Sequence, residues 1–368
     1  MSRDQDSFSF IEGWAESAGV HWAASPPTLR DGWFLGSALQ LYELKTLDVP
    51  KGMCRFVDTI WTRHIDLLPP NLYWELHNEL FHSIWTGPAP AFAAVAEFVT
   101  GIRSAFSLAA DDLVLVSEDG DLSRILRPGS VVPASVPFVL SGVKVGAYAK
   151  LFVRRPDGTF PLLDLVVFEL DGGVCTEIHL NLAHVRVVAG EIPTIYSMTS
   201  KRPTMVALGL SEQQPALARS SRTVRIIALA DALRHASAEG AQFSGTRAGH
   251  IYKRMAKSLA EDLIVTENEG ALDALGLAAE ATAFVGREID QIRRLDVNKL
   301  RSMDPEYRRE TLGVSDARLA VAAGSAADPA IRLPAARARY FTDLPLLGAR
   351  PRDEIEANLA ELVAARTN

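Results

Sequence analysis

The sequence predicts an α+β protein with N-terminal helices, a central antiparallel β-meander and a C-terminal helical region. Two observations support this order. Residues 111–196 are rich in β-branched and aromatic residues separated by turn-forming clusters, whereas Ala, Leu and Arg dominate from about residue 219 onward. Helices that are segregated from a run of strands are typical of α+β folds rather than of doubly wound parallel folds.

The first 108 residues are interpreted as helices interrupted by Pro and Gly clusters. All six tryptophans, and four of the eight histidines, lie within the first 85 residues. A helical wheel over 56–68 places His64 on the apolar side and Asp66 on the polar side, with Pro69 ending the helix. We therefore expect a buried His64 rather than an HxD metal site.

The next segment, 71–86, is predicted as a helix with Asn71 as its N-cap. Glu75, Glu79 and His82 fall on one narrow stripe of that helix, and Glu79 and His82 form an ExxH step suited to a metal ion. The same stripe could instead contact solvent. The flanking apolar side chains are predicted to bind substrate: Trp74, Phe81 and Trp85.

Three strands are predicted near 143–154, 159–170 and 174–188, joined by Pro-Asp-Gly and Asp-Gly-Gly turns. A further hairpin turn is predicted at 118–121. In the third strand the alternation places Val174, Thr176, Ile178, Leu180 and Leu182 on a core face. The opposite face carries the candidate catalytic residues, namely Glu177, His179 and Asn181. If the N-terminal helices cover this face, the row lines a pocket; otherwise it is the wet side of the sheet.

The segment 197–218 is predicted to be a linker, so that 1–204 forms a Trp-rich unit with the sheet and 205–368 a mainly helical unit. The two units could also pack as one domain. Lys201 and Arg202 are candidates for binding an anionic group of a substrate, because hydroxyl groups surround the two cations. A solvated linker has the same composition.

Helices are predicted near 219–238, 247–267, 270–296 and 351–366. The stretch 219–257 contains eight basic residues against two acidic ones, which allows a helix-turn-helix as an alternative function. Its turn region, 237–246, is longer than that motif requires, so a nucleic-acid partner is not expected.

Composition excludes several classes of function. The net charge of −7 argues against bulk nucleic-acid binding, and no apolar run reaches the length of a membrane span. Two cysteines are too few for a disulfide framework, and the polar N-terminus predicts no secretory leader, so we expect a cytoplasmic protein. P-loop, GxGxxG, HExxH and GxSxG motifs do not occur.

The resulting hypothesis is an enzyme that acts on a small molecule or peptide, with a pocket between the Trp-rich segment and the face bearing Glu177. In its sharper form, a divalent Fe, Mn or Zn ion is bound by members of the set Glu75, Glu79, His82 and His179, and activates oxygen or water. The main alternative is a non-catalytic binding or assembly protein that uses a Trp-rich surface. The sequence leaves the oligomeric state open.

Overall fold

The structure is a computed structural model, and it describes residues 8–35, 52–69, 74–87, 92–117, 120–132, 144–155, 158–170 and 173–331. Its main feature is a mixed sheet of eight strands, accompanied by a small two-stranded ribbon. The strands of the main sheet are β1 (His21–Trp22), β4 (Met53–Ile60), β5 (His77–Gly87), β6 (Leu113–Val116), β7 (Ser130–Val132), β8 (Lys144–Arg155), β9 (Gly158–Leu170) and β10 (Gly173–Asn181). The ribbon consists of β2 (Leu29–Arg30) and β3 (Trp33–Phe34).

The predicted meander is confirmed as β8, β9 and β10, in which each strand pairs antiparallel with the next. The sheet order is β1-β4-β5-β10-β9-β8-β6-β7, so β5 pairs with the outer side of the meander. The prediction for the third strand is wrong beyond Asn181, because residues Leu182–Val188 form helix α4. The Asn181 side chain ends the strand by accepting a hydrogen bond from the His184 backbone N–H, which caps the helix.

The helix predicted over 71–86 is wrong, because 77–87 form strand β5; residues 70–73, with the predicted cap Asn71, lie outside the described residues. The helix predicted over 56–68 is also wrong, because β4 extends to Ile60 and only a short 3-10 turn follows at Thr62–His64. Both strands are buried on both faces, so their sequences lack the two-residue alternation of a half-exposed strand. His64 is buried as expected, while the exposed Asp66 pairs with Arg254.

Two helices from the N-terminal part cover one face of the sheet: α1 (Ser9–Ala18) and α2 (Phe92–Ala105). Trp14 from α1 and Phe98 from α2 contact Phe81 of β5 at ring-centroid distances of 6.0 and 5.5 Å. Because Leu180 is the cross-strand partner of Phe81, the helices lie on the Leu180 face. The pocket hypothesis required them on the Glu177 face, so that part of it is wrong.

The other early predictions meet mixed outcomes. Residues 118–119 lie outside the described residues, and helix α3 (Gly120–Leu126) follows β6 instead of a hairpin. The predicted linker 197–218 contains helices α5 (Arg202–Ala207) and α6 (Gln214–Leu217), with Met198, Lys201 and Thr204 buried. Its polar residues are therefore of two kinds: Lys201 and Thr204 are buried, whereas Thr199 and Arg202 are exposed.

The C-terminal region is helical as predicted. Its helices are α7 (Ser221–Ala238), α8 (Arg247–Val265), α9 (Ala279–Arg293), α10 (Val297–Arg301), α11 (Pro305–Glu310) and α12 (Asp316–Ala322). The single helix predicted over 270–296 is a 3-10 turn at Glu269–Ala274 followed by α9, and the predicted helix 351–366 lies outside the described residues. No helix of the described part is both long and apolar enough to cross a membrane.

Candidate metal centre

A row of polar side chains crosses five strands on the sheet face opposite α1 and α2. The cross-strand register pairs Arg55 with His82, His82 with His179, His179 with Asp164, and Asp164 with Lys150. Cross-strand partners project to the same face, so the row is a consequence of the register. Each of the five strands β4, β5, β10, β9 and β8 contributes one charged or imidazole side chain to this row. Such a row is unusual, because the central strands of a sheet normally bury apolar side chains.

The centre of this row is a cluster of two imidazoles and one carboxylate. Glu177 lies two residues from His179 on β10 and therefore shares its face. Its Oε1 is 2.8 Å from His82 Nε2 and 3.0 Å from His179 Nε2. His82 is fully buried, Glu177 nearly so, and the His179 side chain retains 18% of its exposure. The cluster is thus closed on the His82 side and open to solvent beside His179.

Burial and the close contacts shift the pKa values of all three groups. Burial lowers the pKa of His82 to about 4, which keeps its imidazole neutral. Burial alone would raise the pKa of Glu177, but the charge of His179 at 3.0 Å and the hydrogen bond with His82 outweigh it and hold that pKa well below its usual range. Burial opposes protonation of His179, yet the Glu177 carboxylate outweighs burial and raises the pKa of His179.

The geometry fits a metal centre in two respects. Two ligands about 2.1 Å from one ion lie about 3 Å apart, which is the spacing of both His Nε2 atoms from Glu177 Oε1. In addition, His179 Nε2 is buried and close to the carboxylate oxygen but makes no hydrogen bond of acceptable geometry. One ligand atom from each of the three side chains lies within 4.8 Å of the others. Two imidazoles and a carboxylate are a donor set for Fe(II), Mn(II) or Zn(II).

The structure brings His82 together with Glu177 and His179 but places Glu75 and Glu79 elsewhere. On a strand, residues three apart face opposite sides, so Glu79 projects away from His82. Glu75 lies before β5, where its Oε2 accepts a hydrogen bond from Lys201 Nζ at 3.1 Å. The ExxH step therefore does not form one ligand pair, because the segment is extended rather than helical.

Two of the predicted substrate-binding aromatic residues, Phe81 and Trp74, are buried in the core. Phe81 packs in the core against α1 and α2. Trp74 is 1% exposed, its ring stacks on His64, and its carbonyl accepts a hydrogen bond from Tyr196 Oη at 2.6 Å. Trp85 belongs to β5, and its side chain lies outside the described set.

Lys201 and Arg202, predicted to bind an anion, occupy opposite environments. Lys201 is 3% exposed, and its ammonium is surrounded by the carboxylates of Glu75 and Asp231, at 3.1 and 3.7 Å. Arg202 retains 70% of its side-chain exposure and lies 3.9 Å from Glu212. Lys201 is therefore an internal counter-ion, and Arg202 is a surface residue.

Asn181, predicted to be catalytic, is 9% exposed and has structural partners. Besides capping α4, its Nδ2 donates a hydrogen bond to Asn78 Oδ1 at 3.2 Å. These contacts fix the end of β10 next to the histidine cluster.

Sequence reasoning missed Arg55, Asp164 and Lys150 of the polar row. Lys150 Nζ lies 2.9 Å from Asp164 Oδ1, beside His179. Asp164 interrupts the otherwise apolar run 160–168 within a predicted strand, and that charged interruption was a usable signal. Arg55 could be found only by recognising β4 as a strand.

The basic stretch 219–257 uses several of its arginines inside the protein. Arg225 makes a bidentate pair with the fully buried Asp262, with N···O distances of 2.6 and 2.7 Å, and Arg222 binds the same carboxylate at 2.7 Å. Arg234 donates to the carbonyls of Ser200 and Leu275 at 2.6 Å. These arginines join helices and do not form a basic surface.

Comparisons with known proteins add little to this geometry. No family model and no curated protein matches the sequence. Among solved structures, apo S. aureus histidyl-tRNA synthetase aligns with 52% of this chain and 68% of its own, at 10% identity and a TM-score of 0.37. A similarity at this TM-score carries no argument about function.

Proposed function

We propose that this chain is a cytoplasmic, metal-dependent enzyme whose mononuclear centre is bound by His82, Glu177 and His179. The observation that carries the proposal is the convergence of the two Nε2 atoms on one carboxylate oxygen at 2.8 and 3.0 Å. Three protein ligands leave coordination positions open for water, oxygen or substrate, whereas a structural metal site normally has four protein ligands.

The chemistry of the centre follows from its donor set and its surroundings. A bound Fe(II) would activate oxygen, and a bound Zn(II) would supply a water nucleophile near neutral pH. His82 and Glu177 are buried, so the protein itself excludes bulk water from one side of the ion. The side chains of His179 and Asp164 are partly exposed, and a small molecule or an extended peptide would approach from that side.

The proposal is tested by metal titration of chelator-treated protein under anaerobic conditions. We expect Co²⁺ to give a visible absorption band whose intensity falls in Glu177→Gln and His179→Gln and is unchanged in His250→Gln, whose histidine is exposed on α8. Nitric oxide, which occupies an open iron position in place of oxygen, should bind the Fe(II)-loaded protein. A titration in which the Glu177 and His179 variants match the wild type would contradict the proposal.

A second candidate is metal-free acid–base catalysis. It is favoured by the 2.8 Å hydrogen bond between His82 Nε2 and Glu177, which resembles a carboxylate–imidazole pair. An activity that persists in chelator, with no metal bound at this cluster, would support this candidate instead.

A further inference from the structure

A second cluster of metal-ligand side chains lies outside the proposed centre, on the opposite face of β4 and β5. Asp58 from β4, His77 from β5 and His235 from α7 each offer one ligand atom, and the three atoms lie within 4.8 Å of one another. Asp58 retains 35% of its side-chain exposure, so the cluster is open to solvent on one side. The donor set joins the sheet to the C-terminal helical region.

His77 is held as a metal-ligating histidine would be. Its Nδ1 lies 3.2 Å from the buried Asp231 carboxylate, the outer contact that fixes the tautomer and orientation of a metal ligand. Its other nitrogen, Nε2, is buried and has no hydrogen-bond partner. The whole residue is 7% exposed. That nitrogen lies 3.5 Å from Asp58 Oδ1, on the side where the ligand atoms converge.

His235 is likewise held in place by neighbouring groups. Its ring stacks on the His77 ring with a centroid distance of 4.0 Å. Its Nε2 lies 2.6 Å from Thr28 Oγ1, and the Thr28 backbone N–H donates to Glu239 at 3.0 Å. Two imidazolium rings stacked this closely would repel each other, and neutral imidazole is the form that binds a metal ion.

The sheet register supplies an electrostatic reason for a cation here. Asp58 and Glu79 are direct cross-strand partners on the same face as His77. Like charges placed directly opposite each other destabilise a strand pair, and a divalent cation at the cluster would offset that repulsion.

We propose that Asp58, His77 and His235 bind a Zn²⁺ ion, with solvent water completing the coordination on the Asp58 side. Two imidazoles and one carboxylate select a transition metal over Mg²⁺ or Ca²⁺, which prefer oxygen ligands. The bound ion would cross-link β4 and β5 to α7 and thereby stabilise the fold. Asp231 is a positioning residue for His77.

The competing account is a metal-free His77 imidazolium between two aspartates. Burial would lower the pKa of His77, but the hydrogen bond of Asp231 and the charge of Asp58 raise it to about 10. Both accounts predict a folded protein, and they differ only in their response to added metal.

The test is thermal unfolding of chelator-treated His179→Gln protein with added Zn²⁺, so that the proposed catalytic centre lacks a ligand. At a Zn²⁺ concentration about a hundredfold above Kd, we expect Tm to rise by about 5 °C. The rise should disappear when His235→Gln or Asp58→Asn is combined with His179→Gln, and it should remain when His250→Gln is combined with His179→Gln. Mg²⁺ should produce no rise.

Co²⁺ equilibrium dialysis of the wild type separates this inference from the proposed function. Two bound ions are expected in the wild type, one in His235→Gln and one in His179→Gln. One ion lost only in His235→Gln would support this site and overturn the catalytic centre. Absence of a Zn²⁺-dependent rise in the His179→Gln protein, or its persistence in both His235→Gln and Asp58→Asn, would overturn the second site. Asp231→Asn should weaken Zn²⁺ binding about 10- to 100-fold without abolishing it.

Discussion

Cys54 and His82 lie on adjacent strands and face opposite sides of the sheet, and burial determines the charge state of both. Each favours its neutral form because the interior solvates an ion poorly. Burial therefore lowers the pKa of the His82 imidazole to about 4 and raises the pKa of the Cys54 thiol to about 12. For His82 the consequence is a neutral imidazole, the form that binds metal ions, and for Cys54 it is an inert thiol.

The Cys54 thiol should react only after unfolding. In a Cys175→Ala variant, Cys54 is the single remaining thiol. Its pKa of about 12 implies labelling by a thiol reagent at pH 8 at least about a thousandfold slower than in the unfolded chain, because the thiolate is the reactive form. The pKa of the Cys54 thiol is higher in the folded protein than in the unfolded chain. The stability that this buried neutral thiol contributes is therefore complete below about pH 9 and lost between pH 9 and 12. Equal labelling rates with and without denaturant would contradict this burial.

At the scale of the element, two glycines in helices illustrate opposite packing constraints. A Cβ added to Gly249, in the first turn of α8, would lie 2.6 Å from the Gln242 carbonyl oxygen, so the preceding loop approaches the helix closely there. A Cβ added to Gly286, in α9, would meet only Leu272 Cδ2, at 3.8 Å. Helix propensity alone favours Ala over Gly at both positions by about 1 kcal/mol.

We expect Gly286→Ala to stabilise the protein by about 0.5–1 kcal/mol and Gly249→Ala to destabilise it by about 1–3 kcal/mol, because the backbone clash outweighs propensity. Urea unfolding followed by circular dichroism measures both. Gly286→Ala is the matched control, and a stabilising Gly249→Ala would show that the loop does not contact α8 in solution.

At the scale of the whole molecule, buried charges join parts of the chain that are distant in sequence. Lys201, at the start of α5, contacts Glu75 before β5 and Asp231 in α7. Burial would lower the pKa of Lys201, but the two carboxylates outweigh it and raise that pKa, so the ammonium remains charged. This network connects the sheet to the helical region next to the proposed Zn²⁺ site.

Removing Lys201 should therefore destabilise the fold far more than removing its neighbour. In Lys201→Met the buried Glu75 carboxylate loses its ammonium partner and Asp231 keeps only His77 and Arg234, with an expected loss of about 3–5 kcal/mol in the free energy of unfolding. Arg202→Met alters an exposed side chain and should change stability little. Chemical denaturation of the two variants is the comparison, and similar losses would refute the counter-ion role.

The sequence by itself determined the elements whose local signals agree with their environment. The meander β8–β10 was predictable because Pro156, Asp157 and Gly158 are residues that favour a tight turn between β-branched runs, and α7 and α8 because Ala, Leu and Arg, which favour helices, dominate that region. The two-residue alternation along β10 also placed Glu177 and His179 correctly on one face of the sheet. These features depend on neighbours within a few residues.

Only the tertiary structure decided that β4 and β5 are strands, and with them the location of His82. Their residues, polar and charged ones included, are buried on both faces, so neither strand shows the two-residue period that would distinguish a strand from a helix. Pairing of β5 with β10, about 95 residues apart at the His82–Glu177 hydrogen bond, supplied the missing information. The candidate centre depends on that long-range register, because one residue of slip would turn His82 to the other face of the sheet.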